Sequence, residues 1–258
     1  MKQTQVMDFS GKTVLITGGS RGIGRAIAMN FAEAGAKVAI NFHSNKEAAS
    51  KTCEMLPGEG HFAIRADISN PEATRWMIDA VVNEFGQLDV LVNNAGIFSP
   101  HPIDEVDYND WQQSWEETLK VNLTGPANAC YCAAQHMIKQ GGGRIINISS
   151  RGAFRGEPEF PAYGASKAGL NAMSQSLAKK LAPHHIYVFV VAPGFVETDM
   201  TEEVLEGDMG ASIRGQSPLN RVAKPEEVAH AVLFFATEQA TFTTGAILDL
   251  NGASYLRT

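Results

Sequence analysis

The strongest constraint on the fold is a regular alternation of short apolar strands with helical segments. Val- and Ile-rich runs at 12–18, 37–42, 61–67, 88–96, 144–150, 186–194 and 246–252 are typical of strands. The first, KTVLITG, is apolar almost throughout, as expected for a strand buried on both faces. The alternation predicts an α/β fold: one Rossmann-like, doubly wound parallel sheet of about seven strands over 1–258, with helices on both faces.

Helix signals lie between these strands. The sequence SNKE at 44–47 predicts a capping box at the start of the second helix, and Pro71 and Gly86 bracket the third. A long helix is expected over about 110–139, with a kink at Pro126. Further helices are predicted at 161–181 and 224–237. The least regular stretch, 195–218, follows the sixth strand and is predicted to be a mobile flap over a substrate pocket.

Charge and cysteine usage narrow the class of protein. The net charge of -7 argues against a nucleic-acid partner, which would require a basic face. The amino terminus has no apolar leader, and no run reaches the roughly 18 apolar residues of a membrane span. Three cysteines without a CxxC, and histidines without metal-ligand spacing, predict reduced thiols, no metal site and a cytoplasmic protein.

A glycine-rich turn, residues 18–24 of VLITGGSRGIG, joins the first strand to the first helix. Backbone N–H groups and the dipole at a helix N-terminus attract phosphate, and glycines let the phosphate approach closely. The spacing is GxxxGxG rather than the common GxGxxG, so a helix-entry turn without a ligand is the alternative. The strand before it and the amphipathic helix after it favour a dinucleotide site.

The end of the second strand indicates which dinucleotide is bound. It reads NFHS, without the carboxylate that would bind the ribose 2′-OH of NAD. Arg21, in the glycine turn, offers a charge-assisted bond to a 2′-phosphate instead. Both features predict that the protein binds NADP(H) in preference to NAD(H). The alternative is that Arg21 is an ordinary solvated arginine at the surface and binds no phosphate.

The pentapeptide YGASK places Tyr163 and Lys167 one helical turn apart, and Ser150 ends the fifth strand. Such a pair alone is common by chance, but here the carboxyl ends of parallel strands bring it to the predicted cleft. A tyrosine next to an ammonium is expected to have a lowered pKa and to exchange a proton with a carbonyl oxygen. A serine hydroxyl would hold that oxygen.

Six segments together resemble the short-chain dehydrogenase/reductase family: TGGSRGIG, NNAG, VNLTG, NISS, YGASK and APGFVETDM, in that order. The resemblance implies that Tyr163 is the catalytic acid/base and that Lys167 is its partner. It implies that Ser150, rather than Ser149, orients the substrate, and that Asn122 holds a water of a proton relay.

The resemblance also implies where the cofactor is bound. Plain structural roles are the alternative for several of these positions, such as turn capping by Asp67 and helix capping by Thr198. The implied contacts are Gly18, Ser20, Arg21, Gly22, Ile23, Gly24, His43, Ser44, Asp67, Ile68, Asn94, Ala95, Gly96, Pro193, Gly194, Val196 and Thr198, with Tyr163 and Lys167 at the nicotinamide end.

Within the family the chain is most similar to bacterial 3-oxoacyl-acyl-carrier-protein reductases of fatty acid biosynthesis. The resemblance implies a small-molecule or acyl-thioester carbonyl substrate and a homotetramer. Gly141 and His184 stand where those enzymes carry arginines that dock the acidic carrier; Arg144, Arg151, Arg155, Lys179 and Lys180 are candidate replacements. A sugar or small-alcohol dehydrogenase and a silent NADP-binding sensor are the alternatives.

Overall fold

Seven parallel strands form one sheet in a computed structural model that describes residues 7–199 and 201–257. Their order is β3-β2-β1-β4-β5-β6-β7, the doubly wound arrangement predicted from the alternating pattern. The strands are β1 (Thr13–Ile16), β2 (Lys37–Phe42), β3 (Phe62–Arg65), β4 (Val90–Asn93), β5 (Gly143–Ile148), β6 (Ile186–Pro193) and β7 (Ile247–Leu250).

Helices connect the strands and cover both faces of the sheet. The α-helices are α1 (Gly22–Glu33), α2 (Lys46–Met55), α3 (Pro71–Phe85), α4 (Tyr108–Leu119), α5 (Gly125–Gln140), α6 (Gly152–Arg155), α7 (Pro161–Leu181), α8 (Glu202–Glu206), α9 (Gly210–Gly215) and α10 (Pro225–Phe235). None of the described helices is both long and apolar enough to cross a bilayer.

Two apolar clusters, one on each face of the sheet, form the core. In β1, Val14 and Ile16 belong to one cluster and Leu15 to the other, because successive side chains of a strand point to opposite faces. Helices α1 and α10 contribute to the first cluster, and α3, α5 and α7 to the second. Burial on both faces explains why the strands are almost continuously apolar.

The predicted capping box at Ser44 is wrong. Asn45 is the N-cap of α2, and its side-chain oxygen accepts a hydrogen bond from Ala48 N at 2.9 Å. The helix therefore begins one residue later than SNKE predicts. Asn and Ser cap with similar strength, so the pattern alone does not distinguish neighbouring candidates.

The predicted helix over 110–139 is divided rather than simply kinked at Pro126. A π-helical turn, Lys120–Thr124, joins α4 to α5. Pro126 lies in the first turn of α5, where a missing N–H is tolerated, so the break precedes the proline. Such single π turns occur often at functional sites, and this one contains Asn122.

The segment 195–218 forms the two short helices α8 and α9 with irregular chain around them. It starts where β6 ends, and Phe195, Val196 and Thr198 face the cleft described below. Met200 lies outside the described residues. The segment is thus placed where the flap was predicted, and its mobility stays a prediction.

Candidate active site

A cleft of about 940 Å³ opens at the carboxyl ends of the strands. It crosses the point between β1 and β4 where the strand order reverses, which is where ligands bind in open α/β sheets. Every site residue predicted from the sequence lines this cleft except Asn122. Among the described residues no three His, Cys, Asp or Glu side chains are grouped as a metal site would require.

The glycine turn has the geometry of an anion cradle. Gly18 and Gly22 have φ values of 64° and 52°, in the left-handed region that favours glycine. A Cβ on Gly18 would lie 2.9 Å from Ala95 Cα, so only glycine fits there. Arg21, the N-cap of α1, makes no side-chain cap, which leaves the first N–H groups of the helix available to a phosphate. These residues fit the pyrophosphate of a dinucleotide.

Thr17 supports this turn, and the sequence analysis missed it. Its Oγ1 accepts hydrogen bonds from Asn94 N at 3.0 Å and Ala95 N at 3.1 Å. The Asn94 side chain in turn donates to the carbonyl oxygens of Thr17 and Gly18, both at 3.0 Å. Asn94 therefore fixes the turn as well as lining the cleft. A buried threonine at the end of an apolar strand is the signal that could have found this role.

The residues that follow β2 and β3 form another part of the cleft wall. His43 and Ser44 follow β2, and Asp67 follows β3. His43 Nε2 lies 3.9 Å from Asp67 Oδ2. Partial burial by itself raises the pKa of Asp67, but hydrogen bonds from Ser69, together with His43, outweigh burial and lower it overall. The Asp67 carboxylate thus caps its own turn while it faces the cleft. The end of β2 itself presents no carboxylate.

Ser150, Tyr163 and Lys167 meet at the other end of the cleft. Ser150 follows β5, Tyr163 is in the first turn of α7, and Lys167 is one turn further on. Lys167 is 5% exposed, and its Nζ donates to Ile148 O at 2.9 Å. The same Nζ lies 5.7 Å from the centre of the Tyr163 ring. Burial lowers the pKa of Lys167 to about 8.

The expectation that Lys167 lowers the pKa of Tyr163 is wrong for this structure. Burial raises the pKa of Tyr163; the hydrogen bond with Ser150 lowers it only partly, and the nearby Glu157 carboxylate raises it further. Lys167, whose Nζ donates to Ile148 O, is not among the groups that shift the pKa of Tyr163. The phenol is therefore held in its protonated form.

Asn122 lies behind the cleft rather than on its surface. It is fully buried in the π turn, where its Oδ1 accepts from Ile97 N at 2.8 Å and its Nδ2 donates to Ile97 O at 2.9 Å. Both bonds hold the chain that follows β4 against the π turn between α4 and α5. In this structure Asn122 thus positions the segment that carries Gly96 and Phe98 into the cleft.

His101 is a second residue that the sequence analysis missed. It is fully buried, and its Nε2 accepts a hydrogen bond from Ala162 N at 3.1 Å. Because Nε2 accepts, Nδ1 carries the proton and donates to Ser99 O at 2.9 Å. Phe160, the N-cap of α7, makes no side-chain cap, so His101 satisfies an N–H group of the turn that holds Tyr163. A lone histidine in an irregular segment gives no sequence signal for this role.

Phe98 forms the aromatic wall beside Tyr163. Its ring stacks on Phe160 at 3.7 Å and meets the Tyr163 ring edge-on at 4.8 Å. Phe98, held in place by Phe160, restricts the phenol on one side, and the Tyr163 hydroxyl faces Ser150 in the cleft.

Comparison with known proteins identifies the family. Residues 12–208 match the model of the short chain dehydrogenase family. The 3-oxoacyl-acyl-carrier-protein reductases FabG of Staphylococcus aureus and Aquifex aeolicus are 38% and 40% identical over 247 residues, covering 95% of this chain and 98% of each relative. Among solved structures, a dehydrogenase/reductase from Sinorhizobium meliloti matches with a TM-score of 0.90 and 36% identity over 97% of this chain and 98% of that one.

A short chain dehydrogenase from Burkholderia cenocepacia, solved in complex with NADP, matches with a TM-score of 0.88 and 36% identity over 95% of this chain and 98% of that one. The chain belongs to the short chain dehydrogenase family. It is an oxidoreductase that interconverts ketones and alcohols with a nicotinamide cofactor, and its substrate is a small-molecule carbonyl compound.

Proposed function

We propose that this enzyme interconverts a ketone and a secondary alcohol with NADP(H), using Tyr163 as acid/base and 3-oxoacyl thioesters as the leading substrate class. The observation that carries the proposal is the convergence of Ser150, Tyr163 and Lys167 at one end of a cleft whose other end is the glycine cradle. That arrangement matches a cofactor extended between its phosphates and its reacting ring.

The residues of the chain have distinct roles in this reaction. The nicotinamide, when bound, supplies or removes the hydride. The Tyr163 hydroxyl donates a proton to the substrate oxygen, and the Ser150 hydroxyl donates a hydrogen bond to the same atom. Lys167 binds the nicotinamide ribose beside the phenol, and Asn122 supports the cleft wall through its bonds to Ile97.

The preference for NADP(H) over NAD(H) rests on Arg21 and on the carboxylate-free end of β2. Arg21 is exposed and lines the cleft, as do His43 and Ser44. A guanidinium favours a 2′-phosphate, whereas a ribose 2′-OH would lack its usual acidic partner. The Burkholderia relative bound to NADP supports the same preference.

Replacement of Arg21 tests this preference. In Arg21→Met the KM for NADPH should rise about tenfold, because one exposed charge-assisted hydrogen bond is lost, while the KM for NADH should change less than about threefold. Lys51→Met is the matched control, since Lys51 is exposed on α2 and does not line the cleft. Equal losses for both cofactors, or a wild type with the lower KM for NADH, would contradict the assignment.

The positive charges proposed as replacements for carrier-docking arginines do not share one surface. Arg144 is half-buried at the amino end of β5, where its Nη2 donates to Thr241 Oγ1 at 2.9 Å. Lys179 and Lys180 are in the last turn of α7, roughly 25 Å along the helix from Tyr163. Arg151 is buried, so Arg155 is the one member of the set exposed beside the cleft. This distribution favours a small thioester over a carrier-bound one.

A substrate panel tests the proposed reaction. With NADPH, consumption followed at 340 nm should be fastest with 3-oxoacyl thioesters and esters. Faster turnover of sugars or simple alcohols with NADP would instead support the sugar or small-alcohol dehydrogenase. If NADPH binds but no carbonyl compound is reduced, the protein is a sensor, and the proposal fails.

We also propose a homotetramer in the cytoplasm. Tyr131 and Ile138 expose apolar surface on α5, and Phe234 and Leu248 do so on α10 and β7. Two separate apolar faces suit two interfaces related by different two-fold axes. Sedimentation should give about four times the 27.8 kDa chain mass; a monomer would refute the assembly.

The three cysteines are free thiols, as in a reducing compartment, which supports the cytoplasmic location. Recovery of the protein in a membrane fraction would contradict this location.

A further inference from the structure

Arg151, the residue after Ser150, is a buried cation beside the reacting groups. Its side chain and backbone together are 3% exposed. Its Nη1 donates to Ser254 Oγ at 2.7 Å, and its guanidinium lies 5.4 Å from the centre of the Phe195 ring. A guanidinium has five N–H donors. In Arg151 one of these donors has a partner among the described residues, and the face of the Phe195 ring is the aromatic neighbour of the group.

No carboxylate in the described parts of the chain lies within 4.0 Å of the Arg151 guanidinium. The acidic side chains nearby have arginines of their own. Glu227 binds Arg221 through two bonds of 2.7 Å, Asp249 binds Arg257 at 2.7 Å, and Glu157 lies 4.0 Å from Arg155. Glu157 attracts Arg151 only at longer range and Arg155 opposes that attraction, so no direct ion pair among the described residues offsets the burial of Arg151.

Arg151 also separates two cavities. A second cavity of about 390 Å³ adjoins the cleft, and Arg151 and Phe195 are the described residues that line both. A ligand group that extends from Ser150 toward the second cavity would therefore meet the guanidinium or the Phe195 ring. Burial lowers the pKa of Arg151, and an anion at this position would offset that cost.

We propose that Arg151 binds a carboxylate carried by the substrate at a distance from the carbonyl that Ser150 and Tyr163 hold. This inference rests on the proposed carbonyl reduction and narrows its substrate to 3-oxoacyl compounds whose chain ends in a carboxylate. A planar fork of N–H donors matches a carboxylate.

The test uses two ketones that differ by one charge. One is the monoethyl ester of 3-oxoadipate that has its free carboxylate at the chain end distant from the ketone, and the other is the diethyl ester. Wild-type enzyme with NADPH should have a kcat/KM at least about tenfold higher for the monoester, mainly through a lower KM. In Arg151→Met the monoester should lose about 30-fold in kcat/KM and the diester much less, because a charge-assisted bond is lost only with the former. Arg151→Lys should restore part of the difference.

Arg155→Met is the matched control, since Arg155 carries the same charge four residues away and lines neither cavity. It should change the ratio of the two kcat/KM values less than about threefold. Equal kcat/KM values for the two esters in wild type, or equal losses in Arg151→Met, would overturn the carboxylate site while leaving carbonyl reduction intact. Failure to reduce either ester or any other ketone would instead refute the proposed function. If Arg151→Met does not fold, equal kcat/KM values for the two esters in wild type still overturn the site, and the ratio of these values in Arg151→Lys, which should fall below the wild-type ratio, tests the role of Arg151.

Discussion

Tyr163→Phe is expected to reduce kcat about a thousandfold. The substitution removes a single oxygen, and with it the proton donor that the proposal assigns to the substrate oxygen. General acid catalysis by a positioned side chain contributes about 10²–10⁴ in rate, so a loss of this order follows. The ring should stay in place, because Phe98, which is itself stacked on Phe160, packs edge-on against the Tyr163 ring.

The measurement is single-turnover reduction with saturating NADPH, together with fluorescence titration of the cofactor. The Kd for NADPH should change less than about threefold, so that the loss is assigned to chemistry. Tyr131→Phe is the matched control, because Tyr131 is 62% exposed on α5 and outside the cleft. If Tyr163→Phe retained more than about a tenth of wild-type kcat, another group would have to supply the proton.

Lys167→Met should abolish most activity and at the same time stabilise the cofactor-free protein. Lys167 is buried, and its pKa is lowered from 10.5 to about 8. The folded state therefore disfavours the ammonium, at a cost of up to about 3 kcal/mol below pH 8. Methionine removes this cost but leaves Ile148 O without its bond from Lys167, worth about 1 kcal/mol. A net gain of about 2 kcal/mol in the free energy of unfolding at pH 7 is expected.

The pH dependence has a definite sign. Between pH 8 and 10.5 the unfolded lysine binds more proton than the folded one, so the wild-type contribution from Lys167 becomes less unfavourable as pH rises. The stability advantage of Lys167→Met should thus be largest below pH 8, fall to zero before pH 10.5 and become a deficit of about 1 kcal/mol above it, where only the lost bond to Ile148 O remains. Lys179→Met, an exposed substitution on the same helix, should show no such trend. Urea unfolding of all three proteins across this range checks the prediction, and a destabilised Lys167→Met at pH 7 would contradict it.

Local patterns were sufficient to predict the sheet and much of the cleft. Continuous apolar runs placed all seven strands, because a strand buried on both faces needs apolar side chains at nearly every position. Since parallel strands end at the same edge, the polar and glycine residues that follow them were brought to one cleft. Ser150, Tyr163 and Lys167 could therefore be grouped from their places relative to β5 and α7.

Features that depend on contacts between distant segments required the structure. The amino-acid sequence by itself determined the fold class and the groups along the cleft, because the hydrophobic period and the alternation of strands with helices are local properties of the chain. Tertiary packing alone decided the support of α7 by His101, which lies 61 residues from its partner Ala162. It also decided the raised pKa of Tyr163 and the burial of Arg151 without a direct ion pair among the described residues. Burial and the positions of neighbouring charges set both properties, and neither is encoded in spacing along the chain.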